Sequence, residues 1–188
     1  MRARIVEPSP LYQIKVTLQG LRPPVWRRLQ VPGDISLSKL HQVLQVAMGW
    51  TNSHLHQFKV GEEYYGEAGA EFGLEVKSER RAKLNQVAPA EKSRFLYEYD
   101  FGDSWEHEIL VEKILPPAPG VGPPVCLAGK RACPPEDCGG VWGYAEMLDV
   151  LQHPNTARYE EITEWLGGEF DAEAFPLDAI NADLKRIR

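Results

Sequence analysis

The sequence is short of cysteine, with three in 188 residues. Cys126, Cys133 and Cys138 follow C-x6-C-x4-C, and the opening "MRARIVEPSP" lacks the apolar segment of an export signal. An odd number of thiols in such a chain fits reduced cysteines or a metal site better than a disulfide framework. No C-x2-C knuckle is present, and no C-x-x-C opens a helix where it would stabilise a thiolate, so a redox role lacks support. No apolar run reaches the ~18 residues of a membrane span, which leaves the cytoplasm as the expected location and no membrane partner. G-x-S-x-G, P-loop and dinucleotide fingerprints are absent, so nucleophilic hydrolysis, nucleotide hydrolysis and Rossmann chemistry have no motif behind them. "HEIL" at 107–110 lacks the second histidine of a zincin helix, and "DFG" at 100–102 stands without a kinase's Gly-rich and catalytic loops. Internal repeats, low-complexity tails and basic runs are missing too.

What is present suffices for a buried core: 43% hydrophobic and 26% charged residues. One domain over 1–188 is expected, with a strand-rich core at about 10–115, a Pro/Gly/Cys loop at about 116–140 and C-terminal helices at about 141–188. The net charge of −6 is uneven, since residues 1–60 carry eight Lys/Arg against two Asp/Glu. That basic front half offers phosphates a surface, or is an ordinary set of solvated charges paired with the acidic remainder.

Period-two alternation over Tyr12–Leu18 predicts a half-buried strand, and "GLRPPVW" separates it from a second strand over Val25–Val31. Leu37, Leu40, Val43, Leu44 and Ala47 form a helical stripe preceded by Ser36 and stopped by Gly49. His54, His56, Phe58 and Val60 share one face of a further strand. Residues 66–94 look like an insertion with a short helix near Ala82. Phe95, Tyr97 and Tyr99, then Trp105, His107, Ile109 and Val111, form a hairpin whose tip carries Asp100 and Asp103. Stripes at Tyr144–Leu151, Tyr159–Leu166 and Leu177–Ile187 predict three closing helices. The sum is an α+β fold: a mainly antiparallel, mixed sheet of about five to six strands, one helix after the first hairpin, and a C-terminal helical segment packed on one face.

Several groups carry chemistry without forming a motif. His107 lies on an apolar strand face, where imidazole needs a hydrogen-bond partner or a metal. His54 and His56, at i and i+2 on a strand, point the same way and can chelate a transition metal or serve as surface groups. Cys126, Cys133 and Cys138 can supply thiolates to zinc, with a histidine or Asp137 completing the set, or can be buried thiols of a proline-stiffened loop. Asp100, Asp103, Glu136 and Asp137 would favour magnesium or manganese. In "ACPPEDCGG", 132–140, Gly139 and Gly140 admit close backbone approach before a helix beginning near Trp142, whose dipole suits Glu136 and Asp137.

In order, "YQIKVTLQGLRPPVWRRLQVP", "LHQVLQVAMGW", "HLHQF", "YEYDFGDSWEHEILVEKI" and "CPPEDCGGVWGY" resemble the plasmid pRiA4b ORF-3-like family, over roughly residues 10–165. The family also includes passenger proteins of some insertion elements. The resemblance implies a compact α+β domain of uncharacterised activity, tied to plasmids and mobile elements by gene company alone. It carries over a candidate functional face of Asp100, Asp103, Trp105, His107, Pro134, Pro135, Glu136, Asp137, Gly139 and Gly140, with no catalytic assignment. Three functions are therefore open: a binding or accessory domain for a protein or nucleic acid, a metal-dependent hydrolase or nuclease, and a structural zinc module.

Overall fold

The computed structural model describes residues 9–67, 76–117, 122 and 124–187. The described chain forms one eight-stranded sheet and five helices. The strands are β1 (Leu11–Leu18), β2 (Trp26–Pro32), β3 (His56–Val60), β4 (Glu63–Gly66), β5 (Val76–Ser78), β6 (Arg94–Tyr99), β7 (Trp105–Leu115) and β8 (Val125–Lys130). The helices are α1 (Leu37–Met48), α2 (Leu84–Val87), α3 (Gly140–Leu151), α4 (Ala157–Leu166) and α5 (Leu177–Leu184). Their order across the sheet is β5-β4-β3-β6-β7-β1-β2-β8, antiparallel except for the parallel β4–β5 pair.

The α+β class and mixed sheet agree with the sequence reading, but eight strands exceed the five to six expected. The extra ones are short or sit beside loops: β4 and β5 flank the supposed insertion, and β8 begins inside the Pro/Gly/Cys segment. Segments of three or four residues are too short to display a period. The expectations for the insertion and for the Pro/Gly loop fall partly on residues 68–75, 118–121 and 123, outside the described residues.

Alternation in the central strands aligns one buried face. Ile14 of β1 stands opposite Leu29 on one side and Val111 on the other, Val16 opposite Arg27 and Ile109, and Leu18 opposite His107. The row continues through Tyr97 to Phe58. Helix α1 covers it with Leu37, Leu40, Val43, Leu44, Ala47 and Met48. Ser36 caps α1 by accepting from the Lys39 N–H at 3.2 Å, and Gly49 closes it in the left-handed conformation at φ 96°.

Edge strand β8 is closed from outside. The Asn181 side chain on α5 accepts from the Cys126 N–H at 2.8 Å and donates to its carbonyl at 3.0 Å, occupying groups that would otherwise template another strand. No helix among the described residues is long and apolar enough to cross a membrane.

Candidate functional site

The β6–β7 hairpin tip, residues 100–104, docks on the 134–140 loop. Asp103 accepts from the Gly139 N–H at 3.1 Å, and a Cβ added at Gly140 would lie 2.6 Å from the Asp103 carbonyl oxygen. Gly140 is at φ 68°, so this contact requires glycine on both steric and conformational grounds. Trp50 fills the space beneath, donating from its indole to the Pro134 carbonyl at 3.0 Å. The two segments singled out in the sequence are thus one structural unit.

A third segment, 51–54, completes it. His54 Nε2 lies 3.2 Å from Asp137 Oδ1, 3.7 Å from Asp100 Oδ2 and 3.8 Å from Glu136 Oε2. That nitrogen is buried and makes no hydrogen bond among the described residues. Asp100 is fixed by one oxygen while the other faces the imidazole: Asp100 Oδ1 accepts from the Gly102 N–H at 2.9 Å. Glu136 Oε1 accepts from the Thr51 N–H at 2.9 Å and the Thr51 hydroxyl at 3.1 Å, and the Tyr99 hydroxyl lies across both Glu136 oxygens at 3.1 and 3.2 Å. Asp100 and Asp137 hold left-handed backbones at φ 58° and 57°, a conformation Asp tolerates better than most residues. Asp100 is buried, whereas the Asp137 side chain is 71% exposed, so the group opens to solvent on one side.

Behind the site runs a second polar network. His41 and His56 stack with ring centroids 3.4 Å apart. His56 pairs with buried Glu79 at 2.7 Å, and His41 bonds the Tyr97 hydroxyl and the Asn52 side chain, each at 2.8 Å. Gln45 donates to Tyr97 at 3.0 Å and accepts from the Asn52 N–H at 2.8 Å. Tyr97 then donates to His41 Nδ1, and His41 Nε2–H donates to Asn52, an assignment made from the network. Burial pushes His41 down to about 4 and Tyr99, which accepts from the Ser53 N–H at 2.9 Å, up to about 12. The 51–54 loop is therefore pinned from both ends of the fold.

Other expected residues lie elsewhere. Trp105 and His107 are fully buried and do not reach this face. His107 Nδ1 donates to the Tyr97 carbonyl at 3.2 Å, its Nε2 has no partner among the described residues, and burial pushes the ring down to about 4. Strand β3 begins only at His56, so the His54–His56 chelate does not form: one ring meets the acids and the other turns to Glu79. Among the described residues the one group of three possible ligands is His54, Asp100 and Asp137, with no cysteine in it. Burial raises the Cys133 thiol well above its ordinary value and pushes Cys138 up to about 12, and all three cysteines are free.

Glu79 and His41 escaped the sequence reading, Glu79 because it sits in the supposed insertion and His41 because it is one polar residue inside an apolar stripe.

An α+β sheet domain with a His/carboxylate junction between a hairpin tip and a Cys-Pro loop is the class these observations define. The chain belongs to the plasmid pRiA4b ORF-3-like protein family, whose model matches residues 10–179. It is 42% identical over 171 residues to the uncharacterized protein y4hQ of Sinorhizobium fredii (strain NBRC 101917 / NGR234), covering 90% of this chain and 88% of that protein. It is also similar to the crystal structure of MM3350, a protein of unknown function from Methanosarcina mazei Go1. That likeness has a TM-score of 0.81 and 40% identity over 91% of this chain and 97% of the other.

Proposed function

We propose that the protein is a binding domain that engages its partner through a divalent cation held by His54, Asp100 and Asp137, with Glu136 beside them. The observation that carries this reading is the buried, unbonded His54 Nε2 facing three carboxylate oxygens at 3.2–3.8 Å. Metal–ligand bonds of about 2.0–2.2 Å put neighbouring ligand atoms about 3.0–3.5 Å apart, and the ligand atoms of His54, Asp100 and Asp137 all lie within 4.8 Å of one another. Asp100, fixed through its other oxygen, and Glu136, tied to Thr51 and Tyr99, supply the outer support that metal ligands need. One imidazole with two carboxylates suits manganese, zinc or magnesium in place of a thiolate-bound zinc.

A second reading, a metal-dependent hydrolase or nuclease, draws on the exposure of Asp137. The solvent side leaves positions for water and for an oxygen of the substrate, and a bound cation would lower that water's pKa. The nucleic-acid version has less behind it, because two of the described cations of residues 1–60 are already used: Arg27 is buried, and Arg28 is paired with Glu112. A structural zinc module built on Cys126, Cys133 and Cys138 has less behind it, because among the described residues the three cysteines do not fall in a group of convergent ligand atoms.

Calorimetric titration of untagged protein with manganese, zinc and magnesium chlorides tests the reading, with His54→Ala and Asp100→Asn as controls. One ion per chain, lost in both variants, is expected. Turnover of bis(p-nitrophenyl) phosphate or p-nitrophenyl acetate by the loaded protein separates the two readings: none for a binding domain, cation-dependent release for a hydrolase.

A further inference from the structure

Helix α3 separates two clefts of opposite character. On its α4 side the lining includes Asp137, Glu146 and Glu161 with one cation, Arg158, which bridges the two glutamates. On its other side the "GLRPPVW" loop packs against α3 around a cleft of about 600 Å³, where among the described residues the charged lining is Arg22 and Arg131.

The second cleft is held by contacts that leave two of its groups unused. Gly20, at φ 80°, brings the loop so close that an added Cβ would stand 3.0 Å from the Val141 side chain. Arg131 fixes the loop by donating to the Pro23 carbonyl at 2.9 Å, and its charge is met by Glu173 at 2.7 Å. Arg22 is exposed and makes no ion pair among the described residues. Beside it in the lining Trp142 is 86% exposed, a degree of solvation that leaves most of the indole unpacked. Leu21, Val141 and Leu148 supply an apolar wall.

We propose that this cleft is a binding site for a small carboxylate with an aromatic or branched aliphatic body. The carboxylate is taken by the planar fork of Arg22, and the body lies between Trp142 and the wall of Leu21, Val141 and Leu148. Charge decides the sign of the ligand, since no acid among the described residues lines the cleft, and size decides its class. Sites for small molecules run to about 300–1,000 Å³, whereas a docking surface for a macromolecule is broader and flatter. The site lies apart from the His54 group and does not depend on it.

Saturation-transfer NMR and calorimetry with two isosteric probes, indole-3-acetate and indole-3-acetamide, test this directly. The acid binds at least about tenfold tighter than the amide, Arg22→Gln removes that difference, and Trp142→Ala weakens both probes. Both side chains are exposed, so neither change unfolds the protein, and His54→Ala leaves the result unaltered. Equal binding of acid and amide, binding indifferent to Arg22→Gln, or no binding of the acid at millimolar concentration overturns the proposal. Binding of a short oligothymidylate where indole-3-acetate fails also overturns it and assigns the cleft to nucleic acid.

Discussion

Arg27 is a buried cation with no ion-pair partner among the described residues. Its Nε donates to the Ala47 carbonyl at 2.8 Å, and its Nη1 donates to the Trp26 and Lys130 carbonyls at 2.9 and 3.1 Å. Ala47 lies in the last turn of α1, where the helix dipole favours a positive charge, and the Phe175 ring faces the guanidinium at 4.9 Å. Three carbonyls in different directions need a rigid fork, which an ammonium cannot supply. Arg27→Lys is therefore expected to cost about 2 kcal/mol, read as a lower urea midpoint with unchanged slope. The alternation of β2 puts Arg27 on its buried face. What receives its charge is not legible in the chain, because two of the partners are backbone carbonyls of α1 and β8. His54 is legible as a candidate from the alternation with His56, but β3 begins at His56, so the two rings do not share a strand face.

At the scale of elements, the hairpin tip and the Cys-Pro loop hold each other at one backbone contact, Gly140 against Asp103. Gly140→Ala forces a Cβ into that carbonyl at a positive φ, and the loop must withdraw, carrying Glu136 and Asp137 away from His54. The expected outcome is a loss of about 2 kcal/mol or more in stability and at least a tenfold loss of cation affinity, measured by thermal unfolding and calorimetry. Gly61→Ala is the matched control, with a positive φ of 59° but nothing within 4 Å of the added Cβ, and it leaves affinity untouched. The pairing of hairpin and loop was readable from the turn residues and glycines of the two segments. The third partner was not, because the 51–54 loop carries no periodicity and is placed by the stacked histidines behind it.

For the whole molecule, the buried histidines set how stability responds to acid. Burial lowers His41 and His107 from 6.5 to about 4, so the unfolded chain takes up these protons first as pH falls. Their contribution is intact above pH 6.5 and is lost progressively down to about pH 4. The loss is on the order of 3 kcal/mol for each ring. Urea midpoints at pH 7.5, 5.5 and 4.5 are expected to fall in that order, and His107→Phe flattens the trend. The family and fold class were legible from the chain because they rest on long alternating strands and on segments of distinctive composition. The two short strands and Glu79 were not, since only tertiary pairing defines them.

The central claim is that hairpin, loop and the 51–54 segment together hold one divalent cation. Its most direct test is calorimetric titration with manganese chloride of the untagged protein and of its His54→Ala, Asp100→Asn and Cys133→Ser variants. One ion per chain, bound by the parent and by Cys133→Ser but not by His54→Ala or Asp100→Asn, is the predicted result. No binding by the parent, or binding that survives His54→Ala and disappears with Cys133→Ser, would contradict it.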